Sequence, residues 1–279
     1  MINFRSIDDM SQTIKKRLHE IPDVDCIVGI PRSGMLPASM IALYLNKPLM
    51  SLEDFKHGAN SEYCTNRIKF SNKMIERILI VDDSVLSGHC INQIKKDIAS
   101  MGYLDILYAA VYVLESSKKY VDFWFEVCEH LRLFEWNIMD HSVLSSSCVD
   151  LNGVLCTDPT LEENDDGENY LKFIKTAKPK FIPQHKIGSV VTCRLEKYRK
   201  ETEEWLRQHN IKYAELYMMN YRNAEERRRD NQYSQYKANI FIETGANLFI
   251  ESNAGQAEMI YLLTKKPVYC VGNNKFYGG

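Results

Sequence analysis

Two adjacent carboxylates, Asp82 and Asp83, follow the aliphatic run Ile78-Leu79-Ile80-Val81 and precede Ser84-Val85-Leu86-Ser87-Gly88. An unbroken aliphatic run of this kind reads as a strand buried on both faces of a parallel sheet. Acids at its end lie on the edge where open α/β sheets bind ligands. The glycine-containing turn leads into helical spacing from Ile91 to Ile98. A turn that opens a helix presents free N–H groups and the positive end of a dipole to phosphate. Carboxylates beside a phosphate cradle repel the ligand unless they hold ribose hydroxyls or a metal ion, so the combination points to a sugar phosphate. The plain alternative is a helix capped by Ser84, with both acids solvated.

The elements around this stretch alternate. Helical spacing at Met10, Ile14 and Leu18 is followed by the short apolar strand Cys26–Ile30, the turn Pro31-Arg32-Ser33-Gly34 and a helix from Met35 to Tyr44. Asn46-Lys47-Pro48 ends that helix, Leu49 to Leu52 forms a second strand, and Lys56 to Lys73 is a long polar loop. Ile106 to Leu114 is a further apolar strand. This β-α-β-loop-β-α-β order is what a doubly wound sheet needs. With 279 residues, two domains are expected, divided as 1–140 and 141–279.

Composition narrows the class. A net charge of −2 gives no reason to expect nucleic-acid or membrane-surface binding. The eight cysteines are scattered without a C-x-x-C pair, and Cys26 and Cys270 fall in apolar runs, which suits reduced buried thiols. Asn3, Arg5, Asp8 and Asp9 rule out a signal peptide at the start. No apolar run approaches the roughly 20 residues of a membrane helix. A cytoplasmic protein is expected.

The Asp82–Gly88 stretch resembles the phosphoribosyl diphosphate (PRPP) motif of type I phosphoribosyltransferases. Gly29-Ile30-Pro31-Arg32-Ser33-Gly34 resembles the pyrophosphate loop of the same family, in which a basic residue and exposed amides meet the diphosphate, often across a non-proline cis peptide. The resemblance implies PRPP contacts from Arg32, Ser33, Gly34, Asp82, Asp83, Ser84, Val85, Leu86, Ser87 and Gly88, with Asp82 and Asp83 serving catalysis. Leu86 and Cys90 depart from the family pattern, where small or hydroxyl residues stand. Arg67 and Lys69 lie where the family carries a mobile loop over the diphosphate.

The second half carries Cys148-Val149-Asp150-Leu151-Asn152-Gly153, a strand ending in a carboxylate and a glycine turn. It resembles the first motif of the haloacid-dehalogenase (HAD) superfamily, in which the first Asp attacks phosphate. Thr192 after Gly188-Ser189-Val190-Val191, Lys237 before Ala238–Ile242, and Glu251 after Leu248-Phe249-Ile250 match the later motifs in order. Val268 to Val271 would be the last strand. The resemblance implies Asp150 as nucleophile, Thr192 and Lys237 as phosphate ligands, and Mg²⁺ as cofactor held by Asp150, Asn152 and Glu251. Asn152 and Ser252 replace acids of the family pattern, and an amide at 152 removes general acid–base catalysis there. Residues 157–186 stand where such proteins insert a cap. Arg227-Arg228-Arg229 lies in a polar helix with Glu225, Glu226 and Asp230.

The expected fold is therefore α/β, with two doubly wound parallel-sheet domains: a phosphoribosyltransferase-like domain, then a HAD/Rossmann-like one with a small cap insertion. The expected activity is transfer of 5-phosphoribose from PRPP to a glycan or small-molecule acceptor, as in fusions associated with polysaccharide biosynthesis, with the second domain removing the 5-phosphate. A nucleobase salvage enzyme, a PRPP sensor without turnover and a stand-alone phosphatase stay open, as does a homodimer.

Overall fold

The structure is a computed structural model that describes residues 2–57, 75–99 and 105–278. Its contacts form two compact units, Arg5–Arg132 and Met1–Phe4 with Leu133–Gly279. Leu133 and Ile138, assigned to the first domain from sequence, lie in the core of the second unit, as does Ile2. Two three-residue strands, β1 (Asn3–Arg5) and β7 (Arg132–Phe134), stand where the chain passes from one unit to the other. Each unit is α/β, and its main sheet is largely parallel. Among the described residues no helix is long and apolar enough to cross a membrane. Cys26 and Cys270 are buried.

In the first unit α1 (Ile7–Arg17) opens on a capping box: Ser6 Oγ accepts from the Asp9 amide and the Asp9 carboxylate accepts from the Ser6 amide. There follow β2 (Cys26–Gly29), α2 (Met35–Leu45), β3 (Leu49–Ser51) and α3 (Leu52–Lys56). Leu52 begins a helix instead of ending a strand, because Ser51 caps α3 by accepting from the Asp54 amide at 3.1 Å. Arg67 and Lys69 lie outside the described residues. β4 (Arg77–Val85), α4 (His89–Ala99), β5 (Asp105–Val113) and β6 (Phe123–Val127) complete the unit.

The strand order is β3-β2-β4-β5-β6, every neighbouring pair parallel. Cys26, Val28, Ile78 and Ile80 pack on one face against Ile91, Ile94 and Ile98 of α4. Ile27, Leu79 and Val81 point to the other face and are also fully buried. The chain winds from β2 to β3 in one direction and from β4 to β5 in the other, so a crevice opens between the carboxyl ends of β2 and β4.

The second unit runs β8 (Ser147–Val149), α5 (Glu168–Thr176), β9 (Ile187–Leu195), α6 (Arg199–Gln208), β10 (Tyr213–Met219), α7 (Ala224–Asp230), α8 (Tyr233–Glu243), β11 (Leu248–Glu251), α9 (Ala254–Thr264), β12 (Val268–Cys270) and β13 (Lys275–Tyr277). Its order is β10-β9-β8-β11-β12-β13. Five strands are parallel, and β13 adds an antiparallel edge beyond the strand expected to be last. α5 falls within the segment expected to be a cap, yet its Tyr170, Phe173 and Ile174 are buried in the same core as Val149 and Trp205. Its apolar stripe packs into the main body because three large side chains on one helical face need a core to cover them. The winding reverses between β8 and β11, which places a second crevice at their carboxyl ends.

Candidate functional site

The first crevice is built from two loops tied to one strand. β2 stops pairing with β4 at Gly29–Val81. β4 itself continues to Val85, paired with β5 alone through Ser84–Tyr112 and Val85–Val113. The acids therefore lie within the last residues of the strand, not after it, on the side that β2 has left. Ile30 N donates to Val81 O at 3.0 Å, and the Pro31–Arg32 peptide is cis. A Cβ on Gly34 would stand 2.6 Å from Ile30 O and 2.8 Å from Val81 O, so only glycine lets this loop press against β4.

Ser33 Oγ donates to Asp83 Oδ1 at 3.0 Å, joining the first loop to the second. Asp82 and Asp83 are both buried, and Asp82 Oδ1 accepts from the Asp83 amide at 2.9 Å. Burial, then the neighbouring Asp83 charge, pushes the Asp82 carboxyl up to about 8. Ser84 and Val85 belong to β4, so the turn proper is Leu86–Gly88, leading into α4. Gly88 has φ +71°, and a Cβ there would fall 2.3 Å from the Tyr120 ring. Ser117 Oγ donates to Leu86 O, which holds the turn in place while the Leu86 side chain stays half exposed. The turn and the first amides of α4 are suited to a phosphate. Arg32 is exposed.

Sequence reading missed Arg132. It is buried, and its Nη1 donates to Val85 O at 3.3 Å. Burial lowers its pKa, against the opposing charges of Cys128, Asp83 and Glu129. The guanidinium thus adds positive potential near Asp83 from a residue 49 positions along the chain. A basic residue inside a buried three-residue strand was the only signal available.

The second crevice gathers Asp150, Asn152, Thr192, Lys237 and Glu251 around one cavity of about 520 Å³. Lys237 Nζ, from α8, donates to Asp150 Oδ2 at 2.9 Å and to Glu251 Oε2 at 2.7 Å. Asp150 Oδ1 accepts from the Leu151 amide, and Glu251 Oε1 accepts from the amides of Ser252 and Asn253. All three ionisable side chains are almost fully buried. Burial and the Glu251 charge push the Asp150 carboxyl up, against the pull of Lys237. Burial also acts to raise Glu251, but Lys237 and the backbone amides hold it down. The two carboxylates in turn hold Lys237 charged against the effect of burial.

Asn152 is oriented by Arg194. Its Oδ1 accepts from Arg194 Nε at 3.0 Å and Nη2 at 2.8 Å, which leaves the amide nitrogen to face other groups. Arg194 is itself buried, and its cation lies 5.7 Å from the Phe173 ring centroid. Gly153 has φ +77°, and a Cβ there would collide with Ser252 Oγ at 2.1 Å. Ser252 Oγ donates to the Asn152 carbonyl at 3.2 Å. Of the residues expected to hold Mg²⁺, Asp150 and Glu251 both accept from Lys237 Nζ, and the Asn152 carbonyl accepts from Ser252 Oγ. Among the described residues no group of three His, Cys, Asp or Glu side chains converges as a metal shell. Arg194, Arg227, Lys180 and Asp158 also line the cavity and were not assigned to it from sequence. Arg194 lies two residues past Thr192 and was within reach of a motif reading.

No protein-family model matches the sequence, and the search of curated proteins found no match. Among solved structures the chain is similar to a purine phosphoribosyltransferase of Pyrococcus horikoshii, at 19% identity, covering 48% of this chain and 93% of that one, with a TM-score of 0.36. It is similar to a xanthine-guanine-hypoxanthine phosphoribosyltransferase of Helicobacter pylori at 17% identity, with 50% and 95% coverage and a TM-score of 0.38. It is also similar to an adenine phosphoribosyltransferase of Trypanosoma brucei at 16% identity, with 43% and 63% coverage and a TM-score of 0.28.

Proposed function

We propose that the first unit transfers 5-phosphoribose from PRPP to an acceptor. The observation that carries this reading is the Ser33–Asp83 hydrogen bond. It joins a tight loop after β2 to a pair of buried acids on β4, with an amide-rich turn a few residues further on. Asp82 and Asp83 take the ribose hydroxyls, and the Asp83 carboxylate favours the positive character that grows at the anomeric carbon. The amides from Leu86 into α4 hold the 5-phosphate, and Arg32 meets the diphosphate with its planar fork. Hard carboxylate oxygens suit the Mg²⁺ that PRPP carries, which offsets charge on the departing diphosphate. The residues act by positioning and electrostatics, without a covalent intermediate.

The second unit takes the phosphate ester made by the first, with Thr192 and Lys237 against the phosphoryl group and Asp150 beside it. Position 152 offers no proton, and a general acid typically contributes about 10²–10⁴-fold, so hydrolysis there is slow. A glycan precursor or another small hydroxylated molecule is the acceptor class that fits such a pair of activities.

³¹P NMR of the full chain with PRPP, Mg²⁺ and a panel of sugars and nucleobases tests both steps. Acceptor-dependent diphosphate release that disappears in Asp83→Asn supports transfer. Later orthophosphate release that disappears only in Asp150→Asn supports hydrolysis. PRPP binding without diphosphate release from any acceptor would count against transfer and favour a sensor.

A further inference from the structure

We infer that Asp158 is the general acid of the second unit: it protonates the alcohol that leaves when Asp150 takes the phosphoryl group, and so recovers part of the rate lost at position 152. This rests on the reading of Asp150, Thr192 and Lys237 as the phosphoryl site.

Asp150, Asp158 and Glu251 are the carboxylates that line the 520 Å³ cavity. Asp150 and Glu251 both accept from Lys237 Nζ. Asp158 stands outside that cluster, and among the described residues no hydrogen bond or salt bridge ties its carboxylate. A Cβ built on Gly153 would lie 3.0 Å from Asp158 Oδ2 and 2.1 Å from Ser252 Oγ. The Asp158 carboxylate therefore rests against the loop that carries Asn152, at the very next residue. Ser252 Oγ directs its own proton to the Asn152 carbonyl at 3.2 Å, and Lys180 Nζ fixes the same turn by donating to Gly153 O at 2.7 Å.

Exposure sets the direction in which an ester must lie. Asp150, Thr192 and Lys237 are buried, whereas Asp158 is exposed. An ester with its phosphoryl group among the buried three presents its alcohol to the open side of the cavity, where Asp158 stands. Cys193 and Tyr170 line the cavity as well. Burial pushes both upward, Cys193 to about 11, away from the range near neutrality in which proton transfer is efficient. In the step assigned to Asp158, an Asp150 carboxylate oxygen forms a bond to phosphorus and the bond from phosphorus to the ester oxygen breaks. The electron pair of that bond stays on the ester oxygen, which takes the proton of Asp158 and leaves as the alcohol. Water then adds to the phosphorus and gives up a proton, orthophosphate separates from the Asp150 carboxylate, and Asp158 regains its proton from solvent.

The test compares two leaving groups in the full chain with Mg²⁺, with enzyme in excess so that only the first step is read. p-Nitrophenolate leaves without a proton, whereas the alkoxide of ribose 5-phosphate needs one. Asp158→Asn is expected to slow ribose release at least tenfold, a part of the roughly 10²–10⁴-fold typical of general acid catalysis. The same variant is expected to release p-nitrophenolate within about threefold of wild type, which also shows that it folds. Asp158→Glu, which keeps an acid at the position, is expected to recover at least half of the lost ribose rate on a logarithmic scale. Equal changes for the two esters, or none for either, overturn the proton role of Asp158, and loss of both releases in Asp150→Asn then leaves the phosphoryl site standing. If wild type cleaves neither ester, or Asp150→Asn cleaves both as wild type does, the phosphoryl reading fails and the general acid falls with it.

Discussion

Arg194 grips Asn152 by a two-pronged hydrogen bond to a single oxygen, Nε at 3.0 Å and Nη2 at 2.8 Å. The position two residues after Asp150 is thereby built around an amide, with a buried cation facing it. Asn152→Asp would place a carboxylate against that cation, which favours the ionised form and withholds the proton that a general acid must give. Orthophosphate release from a phosphate ester is expected to stay within about threefold of wild type in this variant. A rise of the order of 10², the lower end of what general acid catalysis contributes, would overturn the account of Arg194.

The Ser33–Asp83 contact separates two roles in the first unit. Asp83→Asn removes the charge and is expected to lower diphosphate release by roughly 10²-fold or more, the scale of a lost preorganised electrostatic contact. Ser33→Ala leaves the charge and loses only its orientation, so a drop of about tenfold or less is expected. Steady-state rates of diphosphate release measured on both variants decide this. Equal losses would show that the hydroxyl does more than hold the carboxylate.

Asp82 makes stability depend on pH. Its folded pKa of about 8 lies above its ordinary value of 3.8. The stability linked to its protonated form is complete below that ordinary value and is lost as pH rises through about 8. The melting temperature of the first transition is expected to fall between pH 5 and pH 9, and Asp82→Asn should flatten the slope. Asp83 carries the neighbouring negative charge. An unchanged slope in the variant would assign the dependence elsewhere.

Lys237 holds two buried carboxylates together in the second unit. Lys237→Met leaves them facing each other without a cation, and breaking a buried ionic cluster in this way costs about 3–5 kcal/mol. Adding Asp150→Asn and Glu251→Gln to the same chain removes the stranded charge and should recover much of the loss. Urea denaturation of the single and triple variants measures both. A triple variant no more stable than the single one would mean that the lysine acts through packing.

What the sequence determined by itself was local. The run Ile78–Val81 could only be a strand covered on both faces, because four consecutive aliphatic residues have no polar side to show to water. The apolar spacing of α4 and α1 marked helices for the same reason, and Pro48 and the glycines marked where the chain had to turn. Such signals live within a few residues and follow from the fixed periods of helix and strand. The end of β4 was harder to read, since whether Asp82 lies in a strand or after one depends on where its neighbours stop: β2 at Gly29, β5 at Val113.

The tertiary structure decided the rest. Lys237 reaches Asp150 across 87 positions of chain, and Arg194 reaches Asn152 across 42. Arg132 lies near Asp83 although nothing in the intervening segment points to it. α5, expected to stand apart as a cap, is drawn into the core because Tyr170, Phe173 and Ile174 have nowhere else to be buried. In each case the partner is chosen by the order in which strands assemble into the sheet, and that order sets the charge, orientation and protonation of every group in the two crevices.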